Sequence, residues 1–208
     1  MTILALEFSS DRRSVALARA GAVLAEAVQQ DGSRGTNALG LIGQALAEAN
    51  LSREEIGVIA VGLGPGSYTG IRAAIAVAQG WQLACGVKLT GVGSAEALAA
   101  QAQAENLLGT VDVVIDAQRG EFYLATWEIS ASGRKLVSPL AIMSGAEIES
   151  RKAAGRICVG PEAHKVMYPS ASTIAQLAAG QTEFIEAEYL VPVYLRETTF
   201  VKAPPARL

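Results

Sequence analysis

The sequence predicts an α/β protein built of two related lobes, and three observations carry that prediction. Apolar residues make up 50% of the chain and charged residues 18%, the balance of a chain that buries a core and not of a disordered one. Short apolar, strand-like runs alternate with longer stretches of helical periodicity. A strand ending in an acidic residue, followed by a polar turn and a second strand, occurs twice, once in each half of the chain. At 208 residues the chain lies between one large domain and two small ones.

The elements follow in order. Thr2–Phe8 is an apolar strand, SSDRR a polar turn, and Ser14–Arg19 a second strand. Gly21 marks a hairpin turn into a third strand over Val23–Val28, and QDGSRG ends the meander. Thr36 or Asn37 caps a helix running to about Ala49, with Leu39, Ile42 and Leu46 at i, i+3 and i+7 on one face. Ser52 and Glu55 have capping-box spacing and start a short helical turn. Gly57–Gly62 is a buried strand that breaks at GLGPGSYTG, and a second helix spans Thr69–Cys85. Lys88–Val92 is a strand and Ser94–Gln103 an Ala-rich helix with Ser94 as its N-cap.

The second half repeats the opening. Val111–Asp116 ends in an acid as the first strand reaches Glu7, AQRGE forms the turn, and Phe122–Ile129 is the returning strand. Helices are expected at Gly145–Arg151 and Ser172–Ala179, with a short strand at Arg156–Val159. The tail VPVYLRETTFVKAPPARL opens extended because of Pro192 and ends Pro-rich.

Composition excludes several function classes. Twenty acidic and 17 basic residues leave a net charge of −3, and the basic residues occur as isolated pairs such as Arg12–Arg13 and Arg151–Lys152. A chain that grips nucleic acid unaided carries a basic patch, so any contact with RNA is expected to be indirect. Cys85 and Cys158 sit in apolar settings without metal-ligand or CxxC spacing and read as plain thiols. The N-terminus has no basic region ahead of an apolar stretch, and no run reaches the roughly 18 apolar residues of a membrane span. The chain reads as cytosolic, with no membrane partner.

Motifs of catalysis are mostly missing. With one histidine, His164, neither HExxH nor HxxxH is possible, and no metal site is expected. GPGSYTG is not a GxSxG nucleophile elbow, and no Walker A run occurs. The loop Gly64, Pro65, Gly66, Ser67, Tyr68, Thr69, Gly70 joins a buried strand to a helix. Its backbone N–H groups could meet a phosphate, or it is a tight turn in which Ser67 or Thr69 caps the helix. Glu7 and Asp116, at strand ends, stand where an ATPase of the actin and sugar-kinase type would hold Mg and phosphate; the other reading is solvated strand-end acids. The two long helices are rich in small residues. Helix glycines destabilise by about 1 kcal/mol each relative to Ala, which makes sense where another helix packs close. That helix belongs to the same lobe, or the helices form a subunit interface through Leu39, Ile42, Gly43, Leu46, Ile71, Ala74, Ile75 and Ala78.

GPGSYTGIR, with Arg72 closing the motif, resembles the hallmark GPGS[FY]TG[LI]R of the TsaB (YeaZ) family. ILALEFSSDRRSVAL, LAEANLSREEIGVIAVGLGPGSYTGIR, DAQRGEFY and PVYLR are similar to other segments of that family. The resemblance implies a two-lobed actin-like ATPase, ribonuclease-H-like fold, with an N-terminal lobe over residues 1–104 and a smaller related lobe with an extended tail over 105–208. It implies a non-catalytic scaffold that supports TsaD, the catalytic paralogue, alongside the ATPase TsaE, in making threonylcarbamoyladenosine on tRNA. Contact runs through the first two long helices, which could also homodimerise when the chain is alone. ATP and metal belong to the partner subunits, with no cofactor of this chain's own. TsaD holds its metal through HxxxH on the first long helix, and RGTNALG here has no histidine. Two departures stand out: Glu7-Phe8-Ser9 where the family commonly has Asp-Thr-Ser, and Thr36 or Asn37 where many members place a histidine. The rival class is a small Mg-dependent ATPase or phosphotransferase using GPGSYTG with Glu7 and Asp116.

Overall fold

The computed structural model describes residues 1–30, 35 and 37–195. β1 (Thr2–Glu7), β2 (Arg13–Arg19) and β3 (Ala22–Gln29) form an antiparallel meander. α1 (Ala38–Ala49), β4 (Ile56–Gly62), α2 (Tyr68–Cys85) and β5 (Lys88–Val92) follow. β4 pairs in parallel with β1 and β5 in parallel with β4, giving the order β3-β2-β1-β4-β5.

The second sheet repeats this plan. β6 (Gly109–Asp116), β7 (Glu121–Ser130) and β8 (Gly133–Ser144) are an antiparallel meander, and β9 (Ile157–Gly160) and β10 (Lys165–Val166) add in parallel beside β6. Its order, β8-β7-β6-β9-β10, matches the first sheet strand for strand and sense for sense. The fold is thus a duplicated ribonuclease-H-like α/β unit of the actin-like class, and the second copy is reduced to four- and two-residue strands at one edge.

Residues of β1 alternate between two packed faces, as the two-residue period of a strand requires. Leu4 and Leu6 join Val15, Leu17 and Val61 under α1 and α2. Ile3 and Ala5 face the other way, with Ala16, Ala18 and Ala60, against Ile174, Ala175 and Ala178 of α5 (Ala171–Ala179). Because both faces are covered, β1 and β4 read as continuous apolar runs. The alanines on the α5 side let that helix lie close. Its first N–H groups are taken by the sheet: Ala171 N–H donates to Ser14 Oγ (2.8 Å) and Ser172 N–H to Glu26 Oε1 (3.2 Å).

Two helices tie the halves together. α3 (Ser94–Ala104) packs Leu98, Ala99 and Ala102 against Val111, Val113 and Ile129 of the second sheet, while Ala97 joins the α5 cluster. α5 comes from the far end of the chain yet covers the first sheet. Residue 104 therefore separates the two sheets, while the helices that cover them cross over it.

Some elements depart from expectation. β8, twelve residues long, has no counterpart in the sequence reading. It is an edge strand whose first half is polar and exposed, with Arg134, Lys135 and Pro139, so its one short apolar run, Leu140–Met143, does not mark the whole element. The N-cap of α3 is Gly93 and not Ser94, whose hydroxyl is engaged elsewhere. Asn37 caps α1 through its side chain, which accepts from Gly40 N–H (3.2 Å); Thr36, the other candidate cap, lies outside the described residues, as does the tail beyond Leu195.

Candidate functional site

The loop 64–70 links β4 to α2 and is held from two directions. Gly64 N–H donates to Ser94 Oγ (3.2 Å), and Gly64 C=O accepts from Ser94 N–H (2.8 Å), so one residue of α3 clamps the start of the loop. Ser67 N–H donates to Ser9 C=O (2.7 Å), and the Ser67 hydroxyl caps α2 by accepting from Gly70 N–H (3.4 Å). Glycine is required at two points. A methyl group at Gly66, whose φ is +148°, would overlap Ser9 C=O, and one at Gly70 would overlap Phe8 C=O. The loop seats the first turn of α2 directly on the backbone after β1, and several of its N–H groups are spent inside the chain. Pro65 is buried beneath it, and Tyr68 and Thr69 are exposed.

The two strand-end acids have different surroundings. Glu7 has no solvent exposure; its carboxyl accepts from Ser9 N–H (2.7 Å) and from the Ser94 hydroxyl (2.9 Å). Burial pushes its pKa up, against the downward pull of those hydrogen bonds. Asp116 accepts from Gln118 N–H (2.8 Å) and from its side-chain amide (2.5 Å), closing its own turn. That turn holds Gln118 and Arg119 at φ of +65° and +62°.

Asp116 borders a cleft of about 410 Å³ between the lobes, which also takes in Ser10, Asp11, Tyr68 and Glu162. Burial raises the pKa of Glu162, and the charges of Asp116 and Asp11 raise it further. None of the described residues lining the cleft is basic. Three carboxyl groups, of Asp11, Asp116 and Glu162, border it, a lining that by itself disfavours a free anion and favours a cation. Among the described residues no group of three or more His, Cys, Asp or Glu is arranged to hold a metal ion.

The helix faces correct the sequence reading. Six of the eight residues expected at a subunit interface, Ile42, Leu46, Ile71, Ala74, Ile75 and Ala78, are buried in the chain's own core against the first sheet. The buried stripe of α1 is Ala38, Leu41, Ile42, Ala45 and Leu46, so Ile42 and Leu46 of the expected face lie in it and Leu39 does not. Leu39, 70% exposed, and Gly43 do lie outside.

The surface that α1 and α2 leave open is an apolar groove of about 480 Å³, lined by Leu39, Ala76, Val77, Gly80, Trp81 and Ala84 among others. Leu83 stands 90% exposed on the same helix. Among the described residues, a methyl group at Gly43 or at Gly80 would meet no atom within 4 Å outside its own helix turn. Trp81 and Gly80 were missed by the sequence reading. Gly80 faces away from the buried stripe, whereas Trp81, three residues on from Ala78, borders that stripe and packs against the first-sheet cluster; a helix glycine next to an aromatic is the signal that points to them.

At its N-terminal end this α2 face carries Tyr68 and Arg72. The Arg72 guanidinium donates to the Tyr68 hydroxyl (3.1 Å) and stacks on its ring (5.4 Å). Tyr194 of the PVYLR segment lies 5.6 Å from the Tyr68 ring, and Val193 N–H donates to Leu63 C=O (2.9 Å). Two motif segments far apart in sequence therefore meet at the start of α2.

Comparison with known proteins agrees with this architecture. The family model described as TsaD: tRNA N6-adenosine threonylcarbamoyltransferase matches residues 20–190. An uncharacterised protein of Mycobacterium tuberculosis is 33% identical over 158 residues, which cover 73% of this chain and 70% of the relative. The tRNA threonylcarbamoyladenosine biosynthesis protein TsaB of Escherichia coli is 32% identical over 133 residues, 64% of this chain and 58% of that protein. The solved structure of YeaZ from Pseudomonas aeruginosa superposes with a TM-score of 0.77 at 26% identity, covering 93% of this chain and 99% of that one.

Proposed function

This chain belongs to the TsaB (YeaZ) family, the proteins of tRNA threonylcarbamoyladenosine biosynthesis, and on that premise we propose that it acts as a non-catalytic scaffold for the transferase subunit TsaD. The observation that carries the reading is the pair of exposed helix glycines, Gly80, which lines the apolar α1–α2 groove, and Gly43, one helical turn on from Leu39 of that groove. Glycine inside a helix is unfavourable by about 1 kcal/mol against alanine. None of the described residues fills the space, and in this reading it serves a partner that docks from outside. A paralogue presenting its own two long helices fits that face, and a second copy of this chain competes for it when the paralogue is absent.

The chemistry belongs to the partners in this reading. Glu7 is turned inward, Asp116 closes its own turn, and the interlobe cleft is acidic, so this chain's residues offer a triphosphate little attraction. ATP and metal act on TsaD and TsaE, and tRNA is reached through them. The contact is made by the outer stripe of the two helices, Leu39, Gly43, Gly80 and Leu83, and not by the buried alanines between them.

The test is co-purification of this chain with TsaD of the same organism, followed by a tRNA threonylcarbamoylation assay with TsaC, TsaE and ATP. A complex forms, modification depends on this chain, and the chain alone does not turn over nucleotide. Failure to form a complex, together with Mg-dependent ATP turnover by the isolated chain, overturns the reading in favour of a small ATPase.

A further inference from the structure

The buried carboxyl of Glu7 is enclosed in a way that resembles a bound ligand more than a side chain with spare room. One oxygen accepts from Ser9 N–H (2.7 Å) and the other from the Ser94 hydroxyl (2.9 Å). Ser94 is the first residue of α3, so the group also sits at the positive end of that helix. Across the carboxyl lies Gly62, where a methyl group would overlap the Glu7 oxygens. The glycine is therefore needed to make this pocket, as glycine is where a backbone must come close to a ligand.

The two donors are also the two anchors of the loop 64–70. Ser9 uses its C=O to hold Ser67, while Ser94 both accepts from Gly64 N–H and donates to Gly64 C=O. The α2 and α3 N-termini thus share one anchor at the end of β1. We propose that Glu7 is a positioning residue that serves as an internal ligand: its carboxyl fills a carboxylate-sized cradle and so holds the loop, α2 and α3 to the first sheet without any bound small molecule. This reading is independent of which partner docks on α2.

The full-length chain tests it with formate as the probe and formamide as a neutral control of the same shape. Glu7→Ala melts below the wild type, and formate raises its midpoint saturably while formamide does not and the wild type does not respond. Amide exchange supplies a second measurement. In Glu7→Gln, which preserves shape, exchange at Ser9, Gly64 and Ser67 accelerates about tenfold or more, while Val113 and Val114 in the second sheet keep wild-type rates. If Glu7→Ala does not fold, this local exchange pattern alone decides. The proposal is overturned if folded Glu7→Ala ignores formate or responds equally to formamide. It is also overturned if exchange in Glu7→Gln is unchanged or rises uniformly across both sheets.

Discussion

Replacing Gly43 and Gly80 together by alanine should push two properties in opposite directions. Both positions are helical, and among the described residues a methyl group at either meets no atom within 4 Å outside its own helix turn. Helix propensity alone then stabilises the isolated chain by about 1 kcal/mol per site, or roughly 2 kcal/mol for the pair. For a chain of this size that raises the melting midpoint by about 4–8 °C. If another subunit's helix lies against the same positions, each added methyl is an overpacking of about 1–3 kcal/mol in the complex. Affinity for TsaD then falls about tenfold or more. Scanning calorimetry of the isolated variant and a calorimetric titration with TsaD read the two effects separately. A more stable chain that binds TsaD with unchanged affinity would refute the docking argument. A less stable chain would refute the premise that the glycines have no internal role. Ala74 is a poor probe by comparison, because it is fully buried and a larger residue there disturbs the core before any interface.

Other expectations concern the frame that carries this face. Asp112 has a fully buried side chain and accepts from Arg156 Nε and Nη2 (3.1 and 2.8 Å), Arg151 Nη1 (3.2 Å) and Thr126 Oγ1 (2.6 Å). Burial alone would raise its pKa, but the hydrogen bonds from Arg156 and Thr126 and the charges of both arginines hold it below the usual aspartate range. Asp112→Asn should destabilise by about 2–3 kcal/mol in urea denaturation, below the value for a fully enclosed pair because both arginines are about one-third exposed. A depressed native pKa contributes stability above the unfolded value near 3.9 that is lost as pH falls through the native one. The gap between wild type and Asp112→Asn should therefore be flat above about pH 5 and close below pH 4; a gap that widens in acid would contradict the assignment. Gly70→Ala puts a methyl into Phe8 C=O and should lower stability by about 2–3 kcal/mol, with an unshifted urea midpoint as the contrary result. Tyr194→Ala removes the packing on Tyr68 and should loosen residues 191–195 by about 0.5–1 kcal/mol. Proteolysis near Tyr194 should then quicken while the global melting midpoint stays in place.

Much of the frame was legible because it rests on local rules. The buried strands β1 and β4 announce themselves as apolar runs, the caps of α1 and α2 fall within the pairs Thr36 or Asn37 and Ser67 or Thr69, and the matched pair of strand, acid and turn at Glu7 and Asp116 reads as a duplication that the strand orders bear out. The motif GPGSYTGIR marked the α2 start, and the close approaches at Gly66 and Gly70 give the physical reason for its glycines. Periodicity also identified α1 and α2 as two-faced helices. It could not say which face meets the sheet, since Ala, Gly and Leu populate both sides and small residues carry little polarity contrast.

That choice was made by tertiary packing. Once Leu41, Ile42, Ala45, Ala74 and Ala78 dock on the first sheet, the outer stripe of Leu39, Gly43, Gly80 and Leu83 is what remains exposed. The same is true of Glu7. Sequence identifies an acid at the end of a strand, but whether it points to a cleft or inward depends on Ser94, 87 residues away, arriving at hydrogen-bond distance. Chain pattern determines which elements form, because helix and strand periods are set over a few residues. The direction each side chain faces is decided by contacts between residues distant in sequence, and so only the folded structure decides which helix face stays exposed and where the strand-end acid points.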